Sequence, residues 1–277
     1  MALMHIDFVS QSLMRTVTFN AVIPTDKFTP RGESVKTKKF KVLFLLHGIF
    51  GNYTDWVTKT RIQTWAEDKD LAVIMPSGEN KFYIDRPNSS DMFGKFIGEE
   101  LVDFVRRTLP VSDKREDTFI GGLSMGGYGA LRNGLKYSDT FGRIIALSAA
   151  LIKDNILSSK YLNTGELIGN RYYYESVFGD LSKFEGSDMD IQALLNQLVS
   201  AKKPVPEIYL ACGTEDALCY GPDLEFHKLM EACGVNHTYA EGPGVHDWVF
   251  WDTYIKKALD WLPLGEEVKG VSSGNVI

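Results

Sequence analysis

Residues 121–130 read Gly-Gly-Leu-Ser-Met-Gly-Gly-Tyr-Gly-Ala, so Gly122, Ser124 and Gly126 spell Gly-x-Ser-x-Gly. The chemistry this spacing serves is nucleophilic attack by a serine held at a sharp turn between a strand and a helix. The flanks suit that setting. Thr118–Leu123 is a short β-branched and aromatic run, and Ala130, Leu131, Gly134 and Leu135 then follow at helical spacing. At the tip the serine needs a positive φ, and a Cβ on either flanking glycine would strike a neighbouring strand or helix. A serine hydroxyl is inert at neutral pH without a base for its proton and donors for the oxyanion. The motif counts only with partners.

Five histidines could supply the base. His5 precedes the first expected strand, His227 falls inside a helix beside Phe226, and His237 starts a strand. His47 closes a buried strand and opens His-Gly-Ile-Phe-Gly, which suits a different task. That leaves His246 in Gly-Pro-Gly-Val-His-Asp-Trp, a loop between the last expected strand and the last helix. The base needs a carboxylate to fix its tautomer and stabilise the imidazolium. The strand 207–211 runs into Cys-Gly-Thr-Glu-Asp and offers Glu215 and Asp216. Asp223 is set aside as a first-turn acid that complements a helix dipole. Serine, acid, histidine is the chain order of α/β-hydrolases. In that architecture the residue after the nucleophile, Met125, gives one oxyanion N–H, and the loop after the strand ending at Leu46 gives the other, for which Ile49 is the best placed. Phe50, Trp56 and Trp248 are candidates for the substrate entrance, and each is equally suited to packing.

The elements that must position these groups alternate along the chain. Strands are expected at 15–23, 41–46, 71–75, 118–123, 143–147, 207–211 and 237–241, several of them solid apolar runs fit for burial on both faces. Helical stripes lie between them: Ile97, Leu101, Phe104 and Val105 before Pro110, Phe226, Leu229, Met230 and Cys233 between Pro222 and Gly234, and Trp248 through Leu262 before Pro263. The implied architecture is α/β, a mostly parallel central sheet with helices on both faces. Residues 151–203 interrupt the alternation as a lid-like insertion, whose Tyr161, Tyr172, Tyr173, Tyr174, Phe178 and Phe184 suit either an acyl pocket or simple packing. The small, polar tail 265–277 reads as poorly ordered.

Composition sets outer bounds. A chain of 277 residues with 44% hydrophobic content can bury a large core as a single domain. A net charge of −6 without a basic block argues against nucleic acid, and the densest basic stretch, Lys36, Lys38, Lys39 and Lys41, reads as a solvated approach to a strand. No apolar run approaches the ~18–20 residues of a membrane helix. Residues 1–10 lack the basic-then-apolar layout of a leader, so the expectation is a cytoplasmic protein with no membrane partner. Cys212, Cys219 and Cys233 lack metal-ligand spacing and read as free thiols.

Four segments together resemble one family. Leu-Leu-His-Gly at 45–48, Gly-Gly-Leu-Ser-Met-Gly-Gly-Tyr-Gly at 121–129, Cys-Gly-Thr-Glu-Asp at 212–216 and Val-His-Asp-Trp at 245–248 are similar to the tributyrin esterase branch of the esterase D family. The resemblance spans about residues 1–263. It implies an α/β-hydrolase fold, Ser124 as nucleophile, His246 as base, Asp216 as its orienting acid, Ile49 and Met125 as oxyanion amides, and no metal or organic cofactor. S-formylglutathione hydrolases of this family carry a cysteine and threonines just after the oxyanion-loop glycine, where this chain has Ile49, Phe50 and Gly51. The exported mycolyltransferases carry a signal, and residues 1–10 do not read as one, so that branch is not the expected one. The implied activity is serine-dependent hydrolysis of short-chain acyl esters, acetyl to butyryl. Alternatives are a feruloyl or acetylxylan esterase, an acyltransferase with the same residues, and a non-catalytic binding module on a hydrolase fold. The expected partner is a small-molecule ester, with a homo-oligomer left open.

Overall fold

Strands that alternate apolar side chains to two faces need cover on both, and the computed structural model, which describes residues 1–27, 39–162 and 169–265, shows how this chain supplies it. The strands are β1 (Ala2–Ser10), β2 (Arg15–Ile23), β3 (Lys41–Leu46), β4 (Leu71–Pro76), β5 (Asp85–Arg86), β6 (Asp91–Met92), β7 (Thr118–Leu123), β8 (Arg143–Leu147), β9 (Glu207–Gly213) and β10 (His237–Gly242). Eight of them form one sheet in the order β1-β2-β4-β3-β7-β8-β9-β10, and β5 with β6 makes a small ribbon. Only β2 runs against the rest; β4, β3, β7, β8, β9 and β10 pair in parallel. The expected α/β-hydrolase architecture is therefore present.

The helices are α1 (Asp55–Lys59), α2 (Ile62–Asp68), α3 (Phe93–Lys95), α4 (Leu101–Thr108), α5 (Met125–Lys136), α6 (Lys153–Leu157), α7 (Arg171–Phe178), α8 (Ile191–Ser200), α9 (Tyr220–Ala232) and α10 (Trp248–Trp261). On one face Phe44, Leu46, Ile120 and Ile144 meet Leu131 and Leu135 of α5, together with α4, α9 and the insertion. On the other, Leu43, Leu45, Phe119 and Ile145 meet Trp65 of α2 and Trp251, Ile255 and Leu259 of α10. Successive residues of one strand thus feed opposite cores, the period-two consequence of a pleated backbone. No helix of the described residues is long and apolar enough to cross a membrane.

The structure departs from the sequence expectations at the first ten residues. Residues 2–10, read above only for a leader, form edge strand β1, with Met4, Ile6 and Phe8 turned inward and Leu3, His5, Asp7 and Val9 outward. His5 therefore lies within a strand, bonded to Asn20, instead of preceding the first one. The insertion packs onto the domain. Its Tyr174, Phe178 and Phe184 are buried with Phe82 and Tyr128, and the buried guanidinium of Arg132 on α5 pairs with Asp188 of the insertion and with Asp85. The tail expectation at 266–277 and residues Lys36 and Lys38 lie outside the described residues.

Candidate active site

The turn between β7 and α5 raises Ser124 at φ 52°, ψ −119°, a backbone state an L-residue adopts only when its surroundings impose it. Those surroundings are visible. Ser124 N–H donates to the Leu147 carbonyl at 2.9 Å, and its own carbonyl accepts from Tyr128 and Ala150 N–H, each at 3.0 Å. A Cβ at Gly122 would lie 2.4 Å from the Gly126 carbonyl oxygen, and one at Gly126 would lie 2.4 Å from that of Leu46. Both glycines are required by close approach, as the motif implied.

His246 and Asp216 reach this serine from the carboxyl ends of β10 and β9. His246 Nε2 lies 2.9 Å from Ser124 Oγ, and its Nδ1 lies 2.7 Å from Asp216 Oδ2. Burial, the largest influence on the Asp216 carboxyl, pushes its pKa up, but the His246 bond and the Cys219 and Leu218 N–H groups outweigh it and hold it below the ordinary carboxylate value. Those two amides donate to Oδ1 at 3.0 and 3.1 Å. An ionised Asp216 fixes the proton on Nδ1, which leaves Nε2 free to accept from the serine hydroxyl. The ring of His246 is further set by Trp251, edge-to-face at 4.9 Å.

Glu215, the neighbouring acid, has a different task. Its carboxylate accepts the Gly244 N–H at 2.8 Å, and its own N–H donates to the Gly244 carbonyl at 3.1 Å, so it ties the histidine loop to the acid loop. Asp223 was assigned above to a helix dipole; it does lie in the first turn of α9 but is fully buried. Its Oδ2 accepts the Ala149 N–H at 3.0 Å, next to the residue that braces Ser124. Burial pushes its carboxyl well above the ordinary range, which favours the neutral acid.

The candidate oxyanion loop follows β3. A Cβ at Gly48 would lie 2.7 Å from Leu123 Cδ1 and 3.6 Å from Ser124 Cβ, so the loop passes close to the serine and a side chain at this position would have to displace that of Leu123. His47 is buried and burial lowers its pKa, keeping it neutral. Its Nδ1 lies 2.6 Å from the Gly48 carbonyl and its Nε2 accepts the Gly78 N–H at 2.9 Å, which places the proton on Nδ1. In a trans peptide the Gly48 carbonyl and the Ile49 N–H point in opposite directions. Holding the first therefore aims the second, and the Ile49 N–H has no acceptor among the described residues.

A cleft of about 260 Å³ opens on Ser124 and His246, walled by Ile49, Phe50, Leu123, Trp248 and Trp251. Phe50 stands at its rim, 65% exposed. Trp56 does not reach it. Its indole is 1% exposed, donates to the Leu46 carbonyl at 3.0 Å and supports Trp248 edge-on at 5.3 Å. No described insertion residue lines this cleft. Among the described residues, the one group with metal-ligand proximity is Asp216, Cys219 and His246. It fits a metal poorly, because Asp216 and His246 already bond each other and burial holds Cys219 as a thiol.

Comparison with known proteins agrees with the fold. The family described as "Putative esterase" matches residues 10–262. An acetyl esterase of Caldicellulosiruptor saccharolyticus is 44% identical over 265 residues, covering 95% of this chain and 98% of that protein. Among solved structures, the substrate-bound fluorophosphonate-binding serine hydrolase F of Staphylococcus aureus superposes with a TM-score of 0.81 at 29% identity, over 94% of this chain and 98% of the other. An S-formylglutathione hydrolase of the same organism gives 0.80 at 29% identity with the same coverage. Likeness of this extent, running through all four motif segments, makes the chain a member of the Esterase family with an α/β-hydrolase fold.

Proposed function

We propose that this esterase is a serine carboxylesterase that hydrolyses short-chain acyl esters, acetyl to butyryl, through an acyl-enzyme intermediate. The observation that carries the reading is the continuous hydrogen-bonded chain from Ser124 through His246 to the buried Asp216, on a serine held at positive φ. In this reading Ser124 Oγ attacks the ester carbonyl as His246 Nε2 takes its proton. The tetrahedral oxyanion sits against the N–H groups of Ile49 and Met125, the latter at the amino end of α5 where backbone donors are free. His246 then returns the proton to the departing alcohol. A water activated by the same nitrogen repeats the sequence and releases the acid.

The preference for a small acyl group rests on the cleft. About 260 Å³ beside Ser124 lies below the usual range of small-molecule pockets, and Ile49, Leu123 and Trp251 give it an apolar stretch of wall, with Asp55 and Lys59 also lining the cleft. The insertion aromatics that would have enlarged it pack elsewhere. A wider groove of about 500 Å³ continues past Lys59 and Trp248 and suits the alcohol portion. The likeness to an acetyl esterase points the same way.

Rates on p-nitrophenyl acetate, butyrate and octanoate and on methyl ferulate test this reading. We expect kcat/KM to peak at acetyl or butyryl and to fall about tenfold or more by octanoate and ferulate, as an overfilled apolar pocket requires. A ferulate rate above the acetyl rate would replace the short-chain reading with a hydroxycinnamoyl esterase.

A further inference from the structure

The loop that carries Ile49 is held from behind by a second loop, and that loop is tied to the insertion. Gly48 to Gly51 forms a turn closed by the Gly51 N–H on the Gly48 carbonyl at 3.2 Å. Of its two central residues only Phe50 has a positive φ, 64°. That is the type II pattern, whose third position favours glycine. Phe50 is strained there, and its exposed side chain does not anchor it.

The anchor is Asn80. Its Oδ1 accepts the Phe50 N–H at 2.8 Å. Its backbone carbonyl in turn accepts the phenol of Tyr173, on α7 of the insertion, at 2.9 Å. Tyr173 is half-buried, and burial raises its pKa, so the phenol keeps the proton it donates. The segment around Asn80 is fixed at both flanks to the oxyanion loop: Gly78 N–H donates to His47 Nε2, and Tyr83 Oη–H donates to the His47 carbonyl at 3.0 Å.

We infer that Asn80 is a positioning residue for ester hydrolysis, holding Phe50 in its left-handed conformation and thereby the Ile49 amide in register for the oxyanion, with Tyr173 bracing Asn80 from the insertion. The inference rests on the proposed serine route. Its physical basis is the turn itself. Type I and type II turns differ by inversion of the middle peptide, which here joins the Ile49 carbonyl to the Phe50 N–H. Without an acceptor for that N–H, Phe50 relaxes to negative φ and the middle peptide turns over. Ile49, whose Cα joins this peptide to the one bearing the oxyanion donor, moves with it. The insertion thus contributes to the reaction without lining the cleft.

The test is a double-mutant cycle on p-nitrophenyl acetate. Asn80→Ala should lower kcat and kcat/KM together by about 10- to 50-fold with KM within about twofold, because acylation and deacylation both pass through an oxyanion. In a Phe50→Gly background, where positive φ carries no strain, the same Asn80→Ala should cost less than about threefold. Tyr173→Phe should lower kcat about two- to fivefold with the same unchanged KM and an unaltered melting temperature. An equal Asn80→Ala loss in both backgrounds, a rise in KM at constant kcat, or parental kcat in either variant would overturn the assignment. Should Asn80→Ala fail to fold, Tyr173→Phe read with and without Phe50→Gly decides by the same criterion. A Ser124→Ala protein that still hydrolysed the ester would remove the serine route beneath the inference. An inactive Ser124→Ala beside an unaffected Asn80→Ala would remove the Asn80 assignment alone.

Discussion

On one side of Ser124 the candidate working groups are side chains. His246 and Asp216 are set by bonds to their own atoms, and the loops beneath them are clamped by Glu215 on Gly244 and by Asp247, which caps α10 through the Val249 and Phe250 amides. On the other side the candidate working groups are backbone N–H groups, and the side chains of His47, Asn80 and Tyr83 act only on the shape of the loop. The contrast has a mutational consequence. On the first side the identity of a residue matters; on the second, what matters is whether its peptide still points the right way.

The largest expected effect is on the side-chain side. His246→Ala removes the proposed base, and Asp216→Asn would favour the wrong tautomer; each should lower kcat/KM on p-nitrophenyl acetate by on the order of 10³- to 10⁴-fold with little change in melting temperature. A loss under tenfold for both would mean the hydrogen-bonded chain is not the proton path.

Ile49 separates backbone from side chain directly. Ile49→Ala keeps the N–H and should cost less than about fivefold in kcat, whereas Ile49→Pro deletes it and should cost about 10²- to 10³-fold. Proline suits the second position of this turn, so the comparison is not confounded by misfolding. Equal activity of the two variants would move the oxyanion donor elsewhere.

The smallest effect concerns Asp223. Burial favours its neutral form in the fold, whereas in the unfolded chain it ionises above its ordinary value of 3.8. Between that value and its raised folded pKa the native state binds the extra proton, so wild-type stability falls as pH rises. Asp223→Asn has no such proton to lose. Its stability advantage in urea should grow from pH 5 to pH 8, with kcat within about threefold of the parent. Parallel stability curves would show that Asp223 is ionised in the fold.

The sequence was most informative where structure is local. Gly122 and Gly126 announce Ser124 because the close approach is made by the turn's own neighbours, and β3, β7 and β8 begin and end where their apolar runs do. Choosing between Glu215 and Asp216 was beyond spacing, since the choice depends on which carboxylate faces His246 and which faces Gly244. Trp56 was ambiguous for the same reason: an indole one layer beneath Trp248 has the same sequence signature as one at the entrance. Asn80 and Asp223 were not legible as site residues, because their bonds to Phe50 and Ala149 span 30 and 74 residues of chain. Edge strand β1 did carry a signal, the alternation of Met4, Ile6 and Phe8 with His5 and Asp7.

The central claim is that Ser124 is the nucleophile, and covalent labelling tests it most directly. Treatment with a fluorophosphonate, followed by peptide mass spectrometry and residual ester hydrolysis on the same sample, should place one phosphonyl group on Ser124, with activity lost in proportion to labelling. Full hydrolysis by protein stoichiometrically labelled at Ser124, or loss of activity with the label on another residue, would contradict it.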